Sequence, residues 1–277
     1  MEESKQLVFS KSRSDLPFYL IMGVIGSVYI ILIVAMILAD LTFTSTSHLL
    51  AALKSKEIQY AIKLSLFSCT ITMILSVIVA IPIGYALAKF DFIGKKVLDA
   101  IIDIPIILPP LVIGLSLLVL FQTPPGRFIE EYVPITYAIP SIILAQFMVA
   151  CAFAVRTMAV TFSRINQRQE QVALTLGSNR GQAFWYVILP QAKEGLLTAA
   201  SLSWARALGE FGPILIFSGA TRMKTEVLST TVFLEMSVGN IEAAVAVSLL
   251  MIGAGFTILM IIRLVGGNGS MKGGRLI

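Results

Sequence analysis

Residues 18–39, FYLIMGVIGSVYIILIVAMILA, contain no charged side chain and no proline. A helix rising 1.5 Å per residue over this stretch is long enough to cross a ~30 Å hydrocarbon layer. No water is present there to solvate free amides, so helix is the form in which such a stretch satisfies its own backbone. Five further apolar stretches of sufficient length follow, at 58–88, 97–121, 134–162, 195–218 and 241–265. The reading is an all-α membrane protein with six transmembrane helices.

Composition agrees. Of 277 residues 57% are hydrophobic and 13% charged, and the mean hydropathy is +0.88, too much apolar surface for one water-soluble core. The polar leader carries Lys5, Lys11 and Arg13, as a secretory signal would. The apolar run after it is too long for a signal, however, and Ile37-Leu38-Ala39 is no small-x-small cleavage site, so a retained span is expected. Cys69 and Cys151 lie inside apolar stretches and His48 is the only histidine, which argues against a disulfide framework or a metal cluster.

The net charge of +5 is sorted by loop, which is how topology is encoded and not how nucleic acid is bound. With the leader inside, Lys89, Lys95, Lys96, Arg164, Arg168, Arg180, Lys193, Arg263, Lys272 and Arg275 also fall inside. Outside fall only Lys54, Lys56, Arg127, Arg222 and Lys224, so both termini are expected to be cytoplasmic. Lys63 and Arg156 lie near the ends of spans and are expected to snorkel to the interface. Ser76, Ala80, Gly84 and Ala88 in the second stretch, and Ala199, Ser203 and Ala207 in the fifth, mark close-packing seams within one chain or between chains.

Proline punctuates two spans. Pro213 lacks an N–H and clashes with the preceding turn, so the fifth span is expected to bend or break near Gly209–Gly212. Pro105, Pro109 and Pro110 distort the third. Broken backbone at membrane depth is tolerated where it is buried in protein or faces a wet cavity, so these two spans are expected to line or gate a passage. Arg206 and Glu210, four apart on one face of the fifth span, either neutralise each other beside the kink or act on what passes.

The inner loop 163–194 has a shape of its own. Helix is favoured from Arg168 to Leu176, Gly177 suits a positive φ at a helix end, and Asn179 with Gln182 suits the start of a second short helix stopping at Pro190. Such a hairpin lies on lipid or docks into a partner's groove.

Gln171-Val172-Ala173, then Gly177, then Val187, Leu189 and Pro190 resemble the "EAA" loop of ABC-importer permeases at full spacing. Gln171 stands for the usual Glu and Val172 for Ala, with Glu170 one position earlier. Residues 204–213 (WARALGEFGP) and 104–114 (IPIILPPLVIG) are similar to the molybdate/tungstate permeases and their sulfate relatives, a likeness covering most of residues 60–260.

The resemblance implies a type I ABC-importer permease fold with a cytoplasmic coupling helix. Residues 1–17 would be the cytoplasmic leader, 18–265 the transmembrane domain and 266–277 a flexible cytoplasmic tail. Two copies would form the pathway, two ATP-binding cassette subunits would grip the hairpins, and an extracytoplasmic oxyanion-binding protein would deliver cargo. Coupling would fall to Glu170, Gln171, Val172, Ala173, Gly177, Arg180 and Pro190. The pathway or gate would use Pro105, Pro109, Pro110, Arg206, Gly209, Glu210, Phe211 and Pro213. The cargo implied is molybdate or tungstate ahead of sulfate.

No phosphate-cradling Gly-x-x-x-x-Gly-Lys-Ser/Thr occurs, since Gly266 to Lys272 carries Met271 where the second Gly belongs. ATP and Mg would therefore be used by the partner ATPase, with no cofactor or metal held by this chain and no enzyme activity of its own. An ion-coupled carrier working without an ATPase is the alternative; it would need intramembrane carboxylates or histidines, which are few.

Overall fold

The computed structural model describes residues 16–267, and the regular structure among these is helical with no strand. The basic leader residues and the tail beyond Gly267 lie outside the described residues. The chain divides into two units, the first ending at Ser45. It holds α1 (Leu16–Phe43), in which no residue is buried and large apolar side chains are exposed on every face. A helix apolar all round is built for lipid.

The second unit opens with α2 (Thr46–Lys54) and α3 (Lys56–Lys89), then α4 (Lys95–Ile107), α5 (Pro110–Gln122) and α6 (Pro124–Tyr132). α7 (Ile139–Arg164) leads into α8 (Gln167–Thr175), α9 (Arg180–Ala183), a π-helical turn (Phe184–Ile188) and α10 (Leu189–Gln191). α11 (Lys193–Leu208), α12 (Gly212–Phe217), α13 (Leu228–Ser237) and α14 (Ile241–Gly267) complete it. Four helices, α1, α3, α7 and α14, are long and apolar enough to cross a membrane.

The unit is built on α3, α7 and α11. Apolar contact stabilises little in lipid, so backbones must approach closely, and the small residues permit it. Ser76, Ala80 and Gly84 are buried, and a Cβ on Gly84 would lie 2.7 Å from Met158 Cβ and 2.9 Å from the Ala159 nitrogen. Ala199, Ser203 and Ala207 are likewise buried, so both seams run inside one chain. A polar tie crosses the three helices: Gln146 Nε2 donates to the Ala207 carbonyl at 3.1 Å, and Thr72 Oγ1 donates to Gln146 Oε1 at 3.2 Å.

Two expected spans differ in form. The third is not one distorted helix but α4 and α5, thirteen residues each, meeting at 111°. Each is only about 20 Å long, short of a bilayer crossing alone. The fifth is α11 and α12, separated at residues 209–211. The prolines explain both. Pro110 and Pro213 sit in the first turn of α5 and α12, where a missing N–H is harmless, so they start new helices: of the bend or break expected in the fifth span the break is found, and the third breaks where a distortion was expected. Helices α2, α6 and α13 were not expected from the sequence.

Candidate functional site

The two breaks lie against each other. At the first, Leu108 N–H still donates to the Ile104 carbonyl at 2.9 Å, whereas Pro109 and Pro110 have no N–H to continue the ladder. At the second, Gly209 and Glu210 donate to Ala205 and Ala207 at 3.3 and 3.2 Å, and Leu215 donates to Phe211 at 2.9 Å as α12 begins. A Cβ on Gly212 would come within 3.0 Å of Pro110 Cβ and 3.1 Å of the Leu111 nitrogen. A Cβ on Gly114 would lie 2.7 Å from Pro213 Cα. Glycine is needed at both positions because backbone meets backbone there.

Around the second break, Glu210 is 1% exposed and its Oε2 lies 3.6 Å from Arg206 Nη2. No hydrogen bond reaches that oxygen, so the Arg206 guanidinium, itself 5.5 Å over the Phe153 ring, is its balancing charge. Ser229 Oγ donates to the Glu210 carbonyl at 2.8 Å and Phe211 packs on Phe233 at 5.4 Å, fastening the break to α13. Gly209 has open space on its Cβ side, nothing lying closer than 3.8 Å.

The loop after α7 forms a stiff hairpin. Asn166 Oδ1 accepts from Arg168 N–H at 3.0 Å to start α8. α8 closes with Gly177 at φ +91, while Ser178 N–H donates to Ala173 and Gly177 N–H to Leu174, both at 3.1 Å, a Schellman arrangement. Asn179 and Gln182 form a reciprocal capping box, at 2.9 and 2.8 Å. Glu170 faces inward, where Tyr85 Oη donates to it at 2.7 Å, and Ala173 is the one buried residue of α8. Gln171, Val172, Leu176, Arg180, Trp185 and Tyr186 are exposed. The second helix does not stop at Pro190. The π-helical turn shifts bonding to i→i−5, with Leu189 N–H on the Phe184 carbonyl, and Pro190 enters in the first turn of α10.

Arg156 pairs with a neighbouring helix. Its Nε and Nη1 donate to Asp103 and Asp99 of α4 at 2.6 and 2.5 Å, and its Nη2 to the Asp99 carbonyl at 2.7 Å. It borders an open cavity of about 850 Å³ shared with Arg164, Gln169, Glu194 and Thr198. At the other end of α3, Arg222 gathers Glu235, Glu57 and Glu226 at 2.7, 3.3 and 3.9 Å.

Residues 80–266 match the family described as binding-protein-dependent transport system inner membrane component. The chain belongs to this family. It is an ABC-importer permease subunit, an integral multi-pass protein of the inner membrane. The permease is 30% identical over 210 residues to the sulfate transport system permease CysT of Salmonella typhimurium, covering 75% of this chain and 76% of that one. It is 33% identical over 225 residues to the sulfate permease CysW of Synechococcus elongatus, covering 79% and 78%. To the molybdate/tungstate permease WtpB of Thermococcus kodakarensis it is 35% identical over 156 residues, covering 56% and 59%. Among solved structures, a bacterial alginate ABC transporter in complex with its alginate-bound periplasmic protein shares the fold. That match has a TM-score of 0.72 at 16% identity, covering 90% of this chain and 93% of that one.

Within this permease, Pro110 meets Gly212 and Gly114 meets Pro213, with Pro109 at the first break and Arg206, Glu210 and Phe211 around the second. Pro105 stays inside α4. Sequence reading missed Gln146, although an amide amid an apolar span is a signal in itself. It also missed Asp99 and Asp103, which are 57 and 53 residues from Arg156 with no local pattern joining them.

Proposed function

We propose that this permease forms the pathway of an ATP-driven importer for a tetrahedral oxyanion, with molybdate or tungstate favoured over sulfate. One observation carries the reading: α7 and α11 pack together and run from the hairpin, at the end of α7, to the break that follows α11. A push on the hairpin is thereby delivered where the two broken helices interlock. The permease crosses the membrane six times, twice through broken helices, with both termini cytoplasmic. Two copies share the pathway, and the hairpin 163–194 enters a groove of an ATP-binding cassette subunit that supplies ATP and Mg chemistry. Val172, Gly177 and Arg180 shape the docking face, with Glu170 and Ala173 holding α8 to the bundle. Arg206 offers positive potential to an oxyanion in transit while Glu210 holds the break closed.

Relatives of both substrate classes support an oxyanion, and the higher identity to the WtpB protein, over a shorter stretch, favours the heavier ones. All three dianions have the same shape, so selectivity falls to a binding protein. The test is uptake in proteoliposomes holding the permease, its ATPase and the binding protein, with molybdate, tungstate and sulfate competing. ATP-dependent molybdate accumulation that sulfate displaces poorly is expected. Strong displacement by sulfate would reverse the substrate order, and accumulation without any ATPase would favour an ion-coupled carrier.

A further inference from the structure

We propose that the Arg156–Asp99–Asp103 clamp transmits movement of the hairpin to the third crossing, making Arg156 a positioning residue for the gate. This rests on the reading of the hairpin as the ATPase contact. Arg156 is about two helical turns before the end of α7, and α8 begins three residues beyond that end. Its guanidinium holds two carboxylates one turn apart on α4 and the Asp99 carbonyl between them.

The rest of the α4–α7 contact is apolar, with Leu98 and Ile102 packed beside Val155 and Met158, and no residue of α4 is buried. Apolar contact stabilises little in lipid and has no direction, so by itself it lets one helix slide along another. A planar fork on two acceptors fixes axial position and rotation. With the clamp closed, α4 must follow α7.

Beyond α4 lies a joint. The 111° turn at Leu108–Pro109 has two successive prolines, so no helical bond spans it, and α5 starts at Pro110 against Gly212. Displacement of α7 thus reaches the interlocked breaks by a second route, independent of α11. The three side chains are 31–49% exposed and Arg156 borders the open cavity, so the clamp adds little to stability and its loss should leave a folded protein. Lys95, Lys96, Arg164 and Glu194 are the other charged groups on α4 or at that cavity.

The experiment uses the complete complex in proteoliposomes, reading molybdate accumulated per ATP hydrolysed. Arg156→Gln should keep ATP hydrolysis and lower the transport ratio about tenfold, in the range of ordinary coupling energies. Arg156→Lys, reaching one carboxylate at a time, should fall between. Spin labels at Ile101→Cys and Val160→Cys, with Cys151→Ala, should keep one separation with and without ATP while the clamp is intact. In Arg156→Gln they should shift or broaden. Should Arg156→Gln fail to assemble, Asp99→Asn removes one arm and is read in the same way. An unchanged transport ratio, or a label separation that changes with ATP in the intact protein, overturns the proposal. A parent complex that moves no oxyanion with ATP would overturn the proposed function instead, and the label separation would still decide the clamp.

Discussion

Gly84 shows how little room the α3–α7 seam leaves. Alanine there gains about 1 kcal/mol of helix propensity. It also places a methyl 2.7 Å from Met158 Cβ, an overpacking that costs about 1–3 kcal/mol. Gly84→Ala should therefore lower the melting temperature in detergent. Gly253→Ala in α14, where nothing lies within 4 Å, should leave it unchanged or raise it. Glu226 lies outside the spanning segments, and burial pushes its carboxyl above the usual carboxylate range, with Arg222 opposing. A raised folded-state value means stability that is present in acid and lost as pH rises through that value. The melting temperature of the parent relative to Glu226→Gln should accordingly rise as the pH is lowered from neutral towards the usual carboxylate range. The opposite slope would mean that the carboxylate is held ionised by Arg222.

At the scale of elements, the hairpin was the most legible part of the chain because its chemistry is local. Gly177 and the Asn179–Gln182 pair each act within four residues, so type and spacing suffice. The prolines were legible as breaks but not as beginnings, since the direction of the chain beyond Pro110 depends on what α5 meets. The partners of Arg156 were not legible because they are on another helix, and Gln146 was missed because Thr72 and the Ala207 carbonyl are likewise on other helices. The hairpin supports a prediction of its own. No atom lies within 4 Å of a Cβ at Gly177, so space is not the obstacle; φ +91 is. A left-handed residue with a side chain costs roughly 1–2 kcal/mol, more when β-branched. Gly177→Val should insert in the membrane yet co-purify poorly with the ATPase, whereas Gly177→Asn should retain most of the complex. Equal recovery of all three would remove the turn from docking.

For the whole molecule, the test is which end faces which compartment. α3 runs the length of the unit, 34 residues or about 50 Å. Its last residue, Lys89, donates from Nζ to the Ile165 carbonyl at 2.8 Å, which places the hairpin at that end. Near its first residues Glu57 pairs with Arg222, and Tyr60 Oη donates to the Lys224 carbonyl at 3.1 Å, which places the loop before α13 at the other. Leu176 and Met223 are exposed at these opposite ends. The sorting of Lys and Arg by loop leads us to expect the hairpin end in the cytoplasm, and labelling tests it. In sealed right-side-out vesicles, Met223→Cys should react with an impermeant maleimide and Leu176→Cys should not, until the membrane is opened. Inverted vesicles should reverse the pattern. Reaction of both from one side would show that α11 and α12, the broken pair between the two positions, turn back instead of crossing, because an odd number of crossings between the two positions separates them and an even number does not.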